Sequence, residues 1–589
     1  MIRLTILIGF LCQLHAFGRP NVILIMTDDQ GYGDFGFMGN PVLRTPNLDA
    51  MAGRSARMTQ FYVSPVCSPT RASLMTGRYN YRTRVVDTWI GRSMMEPEET
   101  TLAEVLKAAG YQTGIFGKWH LGDEYPMRPQ DQGFAEVLVH KGGGIGQPSD
   151  PIGAEGKYTD PILQHNGKSI PYKGYCTDIY FDNALTWMEH VHDRGQNFFA
   201  YIAANAPHSP FHDVPEGLYR QYLSKDLSNE RFPNEHGNKL NSSYDHDTRA
   251  RIFAMITNID DNMGRLFAFL HRKQITGNTV VIYLNDNGPN RPRYRVGLRG
   301  MKTSVYEGGI KSPLLVQWLG HLQPGVQSDR ISAHIDVMPT ILDACGVDVP
   351  DGLQMDGRSL LPLLQGRSVP WPRRHLVFQT HRGAAPVLYH HFAIRSQDWK
   401  LVNHSGFGPE DVTASPHPPQ FELFDMNRDP YEMNDVKEKH PQVVAKLKAA
   451  YEAWFTDVSG TRVDNYAPPR IHIGSDAAPL VDLTRQDWIS ADQKWSMDQS
   501  MGSWLLHAVE DSVFEVRAYR RSVNRVGIAK LHLNDQIVTA PFSTDQQWVT
   551  FPQVTVSRGK LELKVVLELD DPTHAPTHGP WRVQVEKRQ

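Results

Sequence analysis

Four stretches of the chain are apolar almost without interruption and then turn abruptly polar. Residues 22–26 run into Thr27, Asp28 and Asp29, and residues 111–116 run into Gly117, Lys118, Trp119 and His120. Residues 198–203 lead to Asn205, Ala206, Pro207 and His208, and residues 280–284 lead to Asn285, Asp286 and Asn287. Short, nearly continuous runs of this kind predict strands covered on both faces, hence parallel strands of an α/β sheet. Helical periodicity lies between them. It predicts helices over 102–109, opened by Thr100 and closed by Gly110, over 178–191, and from 248 to about 272, opened by Asp247. In such sheets ligands bind beyond the carboxyl ends of the strands. Four strands that each end in charged or imidazole groups therefore predict a single site.

The pattern changes twice downstream. Short strand-like pieces at 392–395, 399–402 and 422–425, with a helix over about 441–455, predict a small α+β subdomain. Beyond Pro468-Pro469 the chain alternates apolar and polar residues, as at 512–517 and 560–565, which predicts an appended β-sandwich. The expected division is a signal peptide over 1–18, an α/β catalytic domain over 19–385, the small subdomain over 386–465 and a β-rich module over 470–589.

Composition narrows the partners. The 589 residues have room for two or three domains, and 40% hydrophobic with 21% charged residues is ordinary for a globular chain. A net charge of -3 and a pI near 6.8 leave no strongly basic domain, which argues against a nucleic-acid partner. Any attraction for an anion must be local. At the N-terminus, Arg3, an apolar run from Leu4 to Leu14, and Ala16-Phe17-Gly18 read as an export signal cleaved near Gly18. The run is too short for stable membrane insertion, so a periplasmic or secreted protein is expected. Beyond Cys12 in that signal stand Cys67, Cys176 and Cys345. An odd count in an exported chain flags one cysteine for a task other than disulfide pairing.

Cys67 is the candidate. It opens Cys67-Ser68-Pro69-Thr70-Arg71, which continues to Thr76-Gly77-Arg78. Pro69 suits the first turn of a helix, so residue 67 is expected at a helix N-terminus, where free N–H groups and the dipole favour an anion. Arg71, one turn on, shares its face. This stretch resembles the Cys-x-Pro-x-Arg signature of the type I, formylglycine-dependent sulfatases, an arylsulfatase-like branch of the alkaline phosphatase superfamily. The segments 27–33, 117–122, 285–288, 335–340 and 422–425 are similar to further family segments, so the resemblance covers roughly residues 20–457. It implies a large mixed sheet flanked by helices, followed by a small α+β subdomain. It also implies that a maturation enzyme oxidises Cys67 to formylglycine. One hydroxyl of the hydrated aldehyde would attack sulfur, giving a sulfoenzyme, and the other would expel sulfate by C–O cleavage.

The resemblance gives the neighbouring residues roles. Asp28, Asp29, Asp286 and Asn287 offer an all-oxygen ligand set suited to Ca2+, completed by modified Cys67. Arg71, Lys118 and Lys302 would stabilise charge on the sulfuryl group. His120 would take a proton from the diol, and His208 would donate one to the leaving alcohol. Export, the added β module and the run Arg291, Arg293, Arg295 and Arg299 favour a sulfated glycan over a small aryl sulfate, although the first reading of that run is a solvated loop and a rim for further sulfates the second. The glycines at 142–144 and 146 read as a loop over the pocket, and Asp260 and Asp261 as a solvated helix face or a cap. Two competing readings are a phosphate or phosphonate ester hydrolase of the same superfamily and a non-catalytic glycan-binding protein with an unmodified Cys67.

Overall fold

The computed structural model describes residues 18–588 apart from 234–235, 241–243, 409–417, 461–463, 465, 491–493, 498, 522–523 and 571–576. Residues 1–17 of the expected signal peptide over 1–18 lie outside the described residues. No helix among the described residues is long and apolar enough to cross a membrane.

The centre is a ten-stranded mixed sheet. Its middle consists of the four apolar runs, as neighbouring parallel strands in the spatial order Thr279–Asn285, Asn21–Thr27, Phe198–Ala203 and Gln112–Lys118. Glu136–His140 continues the parallel order, and on the other side Leu314–Gln317 pairs antiparallel, followed by Ala56–Met58 and Gln327–Ser328. Alternate residues of Asn21–Thr27 enter different cores. Val22, Leu24 and Met26 pack with residues of the helices Cys67–Thr76, Leu102–Ala108 and Val337–Cys345. Ile23 and Ile25 pack with those of Cys176–Asp193 and His246–Arg272. A strand buried on both faces has no polar side to show, hence the continuous runs.

Two caps differ from expectation. Thr101, rather than Thr100, caps Leu102–Ala108. Its hydroxyl accepts from the Glu104 backbone N–H at 3.2 Å while the Glu104 carboxylate accepts from the Thr101 N–H at 2.8 Å, a reciprocal box that fixes the three-residue spacing. Asp245, rather than Asp247, caps His246–Arg272 by accepting from the Thr248 N–H at 3.1 Å. Asp247 instead pairs with Arg251 at 2.6 Å. Asp260, deep in that helix, caps a neighbour. Its carboxylate accepts from the Asn47 and Leu48 N–H groups at 3.1 and 2.7 Å, at the start of Pro46–Arg54, and burial pushes it up to about 6. Cys176 and Cys345 form no disulfide; both are buried and free, one in each core.

A four-stranded antiparallel sheet follows, made of Leu376–Gln379, Phe392–Arg395, Trp399–Asn403 and Glu422–Asp425. Leu447 and Tyr451 of the helix Pro441–Ser459 join its core. The C-terminal residues build two further sheets around one shared core that includes Trp504, Phe514, Leu531 and Val565. Ile90, Met94 and Met127 of the α/β unit enter the same core, so the sandwich is packed onto that unit.

Candidate active site

Asp28 and Asp29 stand just past the end of Asn21–Thr27, with Asp286 and Asn287 just past the adjacent Thr279–Asn285, and all four are fully buried. The two turns brace each other. The Asp29 N–H donates to Asp286 Oδ1 at 3.1 Å, Thr27 Oγ1 donates to Asn285 Oδ1 at 3.0 Å, and Asn285 Nδ2 donates to the Gln30 carbonyl at 2.8 Å. Asp29, His120 and Thr303, which follows Lys302, have φ of 63°, 60° and 71°. Left-handed backbone at non-glycine residues costs on the order of 1–3 kcal/mol each and gathers at functional sites.

Cys67 is the first residue of Cys67–Thr76, whose N-cap Val66 provides no side-chain cap. Arg71 Nη2 donates to Asp286 Oδ2 at 2.8 Å and its Nη1 to the Lys118 carbonyl at 2.9 Å. Lys118 Nζ lies 2.6 Å from Asp28 Oδ2. It follows Gly117, where a Cβ would come within 1.9 Å of the Ala203 carbonyl oxygen, so only glycine lets the strands approach there. Lys302 Nζ meets Asp29 Oδ1 at 2.5 Å, and Asn287 Nδ2 donates to the same oxygen at 2.8 Å. His208 Nε2 is 3.7 Å from Asp29 Oδ2, and its Nδ1–H donates to the Ser209 carbonyl at 2.7 Å. His120 Nε2–H donates to the Thr88 carbonyl at 2.8 Å. That bond fixes the tautomer and leaves Nδ1 as the bare nitrogen, buried and without a hydrogen-bond partner.

Burial and charge set the protonation states. Burial pushes the Cys67 thiol up, against the pull of Lys118 and Lys302, so the unmodified thiol is a poor source of thiolate. Burial would raise Asp29, but Lys302 and His208 hold it below the usual carboxylate range. Burial, then the adjacent Asp28, push Asp286 up to about 6. Burial, then Lys118 and Arg71, hold His120 well below its ordinary value. Burial brings His208 down to about 4, with Asp29 pulling the other way.

The donor set fits a hard cation. Asp28 Oδ1, Asp29 Oδ2 and Asn287 Oδ1 are buried and lack a hydrogen-bond partner. Donor atoms of Asp28, Cys67 and Asp286 lie within 4.8 Å of one another, as do those of Asp28, Asp29 and His208. Orphaned carboxylate and amide oxygens converging in a buried pocket are what an oxygen-loving dication satisfies.

Three features escape sequence reasoning. Gln486 reaches in from the C-terminal module. Its Nε2 donates to the Thr88 carbonyl at 2.9 Å, the acceptor that orients His120, and to Ser93 Oγ at 3.0 Å. A polar contact spanning 398 residues leaves no local signature. The glycine loop has a packing role: a Cβ on Gly143 would lie 2.8 Å from His120 Cε1, and one on Gly144 2.8 Å from His208 Cε1. Of the arginine run, Arg291 is exposed, whereas the other three are tied into the protein. Arg293 is 1% exposed, chelates Asp34 through Nε at 2.9 and 2.8 Å, and donates from Nη2 to the Asp29 carbonyl at 2.6 Å. Arg295 donates to the Gly300 carbonyl, and Arg299 pairs with Glu422. Asp34 in place of solvent explains the inward turn, and the reversal is visible only in three dimensions.

A large mixed α/β sheet with carboxylates, cations and imidazoles at its carboxyl ends defines an alkaline-phosphatase-like hydrolase fold. The chain belongs to the sulfatase family within that superfamily and is a sulfuric ester hydrolase: the sulfatase family profile matches residues 20–347, and the C-terminal profile of N-sulphoglucosamine sulphohydrolase matches residues 301–455. It is 31% identical to arylsulfatase A of Bos taurus, over 75% of this chain and 89% of that one. It is 27% identical to N-acetylglucosamine-6-O-sulfatase of Bacteroides thetaiotaomicron, over 71% and 82%. Among solved structures, Ps i-CgsB in complex with k-i-k-neocarrahexaose superposes with a TM-score of 0.61 at 26% identity, covering 74% of this chain and 92% of that one. Phosphonate monoester hydrolase of Agrobacterium radiobacter shares the fold, with a TM-score of 0.52 at 22% identity.

Proposed function

We propose that the protein is an exported, calcium-dependent sulfatase that removes sulfate from a sulfated glycan, with formylglycine made from Cys67 as nucleophile. The observation that carries this is the convergence of Cys67 on Asp28 and Asp286, beside carboxylate and amide oxygens that have no partner. Asp28, Asp29, Asp286, Asn287 and modified Cys67 would hold the calcium, which supplies Lewis-acid stabilisation of negative charge on the sulfate. The hydrated aldehyde supplies a nucleophilic hydroxyl and, on the same carbon, a second hydroxyl whose deprotonation releases sulfate.

The remaining residues bind and move protons. Lys118 and Lys302, each already on a carboxylate, are positioned as charge donors to sulfate oxygens, and Arg71 orients Asp286. His120, neutral and with Nδ1 bare, is suited to accept the diol proton. Burial brings His208 down to about 4, so its role as acid requires the charge of bound sulfate to raise it. The maturation enzyme acting on Cys67 is the implied partner, and the sandwich over 470–589 an added module on the core over 19–465. The names of the relatives, among them N-acetylgalactosamine-6-sulfatase and N-acetylglucosamine-6-O-sulfatase, support a sulfated carbohydrate substrate.

The shared fold of phosphonate monoester hydrolase favours one competing reading, an enzyme of phosphorus esters. Rates on matched aryl sulfate, phosphate and phosphonate esters separate the two. Preference for the sulfate is expected, and preference for either phosphorus ester by more than about tenfold in kcat/KM would overturn the assignment.

A further inference from the structure

The C-terminal module forms more than a packing surface. A cleft of about 510 Å³ lies where the sandwich meets the α/β unit, lined by the segment Gly146–Gly156, by Pro210 and His212, and by Tyr519, Arg521 and Trp581. Two of its lining residues, Gly146 and Pro210, stand close along the chain to groups of the candidate site. Gly143 and Gly144 pack on His120 and His208, and Pro210 is two residues past His208, within about 7 Å along the chain. The cleft thus begins beside the proposed proton donor to the leaving group.

The charges lining it are not equivalent. Asp150 accepts from His140 Nε2 and from the Gly146 N–H, both at 2.8 Å, and Glu155 pairs with Lys157. Arg582 pairs with Asp482 at 3.2 Å and donates to the Asp150 carbonyl at 2.6 Å. Arg521 is different: it is exposed, and no ion pair among the described residues engages it. Its Cζ lies 3.7 Å from the centroid of the Trp581 ring. That ring in turn lies 4.2 Å from the guanidinium carbon of Arg485, which is fully buried and donates to the Gly579 and Pro580 carbonyls at 2.8 and 2.9 Å. A guanidinium stacked on an anchored indole loses little further freedom on binding and keeps its in-plane N–H fork for a planar or tetrahedral anion.

We propose that the sandwich supplies a glycan subsite in which Arg521, held on Trp581, binds a sulfate or carboxylate on the sugar next to the one being desulfated. Neither matched family profile includes Arg521 or Trp581, so this recognition is a property of the added module. The proposal rests on the sulfatase reading and specifies its substrate as a glycan with anions on neighbouring units.

The test compares the full chain with its Arg521→Ala and Arg521→Lys forms. Oligosaccharides carry the scissile sulfate plus, on the neighbouring sugar, a second sulfate, a uronic carboxylate or no anion; a small aryl sulfate is the reference. Expected is a fall of about tenfold in the ratio of kcat/KM on the dianionic oligosaccharides to that on aryl sulfate, carried by KM, with partial recovery in Arg521→Lys. The sulfate and carboxylate arms identify the anion. Binding of the same oligosaccharides to a Cys67→Ala background, read by calorimetry, should weaken by the same factor without turnover. An unchanged ratio and unchanged binding, or equal losses with the neutral neighbour, overturn the subsite while leaving the sulfatase reading intact. Failure of the full chain to cleave any sulfate ester would remove both.

Discussion

The carboxyl ends of the central strands and the junction with the C-terminal sandwich bury polar groups to the same extent but treat them differently. At the strand ends every carboxylate faces a cation: Asp28 has Lys118, Asp286 has Arg71, and Asp29 has Lys302. At the junction Asp487 is 2% exposed, and neither of its carboxylate oxygens has a hydrogen-bond partner among the described residues. Burial, then Asp123 and Glu124, push its carboxyl well above the usual range. Next to it Gln486, a neutral amide, orients the Thr88 carbonyl behind His120. One region spends its polar groups on charge held for chemistry, and the other on fixing where that charge stands. Effects on turnover should therefore concentrate in the first region and effects on positioning and stability in the second.

The largest expected effect breaks the first region outright. Cys67→Ala should lower aryl sulfate turnover at least about a thousandfold with the melting temperature little changed, because alanine offers no thiol to be converted to the aldehyde whose hydrate supplies the nucleophilic hydroxyl. Residual activity within tenfold of the parent would contradict this. Chelation comes next. Prolonged dialysis against a chelator should lower activity on the order of a hundredfold, with recovery by calcium and not by zinc, since no thiolate or imidazole pair dominates the ligand set.

Gln486→Ala tests whether the second region acts through the first. It should lower kcat about tenfold with KM within about twofold, because His120 loses the brace on its acceptor while the sulfate contacts remain. A fall in thermal stability with kcat preserved would reduce Gln486 to a packing residue. The smallest effect is Asp487→Asn. A carboxyl raised in the folded state binds more protons there than in the unfolded chain, so its contribution to stability falls as pH rises from about 4. The asparagine form should thus be more stable than the parent by about 1–2 kcal/mol at pH 8, with the gap closing towards pH 4. Denaturant titrations at both values measure it.

Much of the first region was legible in the sequence because its determinants are local. A strand buried on both faces reads as an apolar run, and the residues just past its end are the next letters of the chain. The observed strands begin or end within two residues of the runs at 22–26, 198–203, 280–284 and, at its C-terminal side, 111–116. The caps slipped by one or two residues because the side chain three positions on decides which threonine or aspartate is used. Arg293 misled because its partner, Asp34, is 259 residues away. Gln486, Asp487, Arg521 and Trp581 sit in turns and bends beside alternating strands, whose pattern reports burial within the sandwich and nothing of the neighbour it packs on.

Mass spectrometry of the peptide containing Cys67, from protein produced with a formylglycine-generating enzyme, tests the central claim most directly. The account predicts a peptide about 18 Da lighter than the cysteine form, in proportion to sulfatase activity across preparations. Full activity from protein whose Cys67 is entirely unmodified would contradict it.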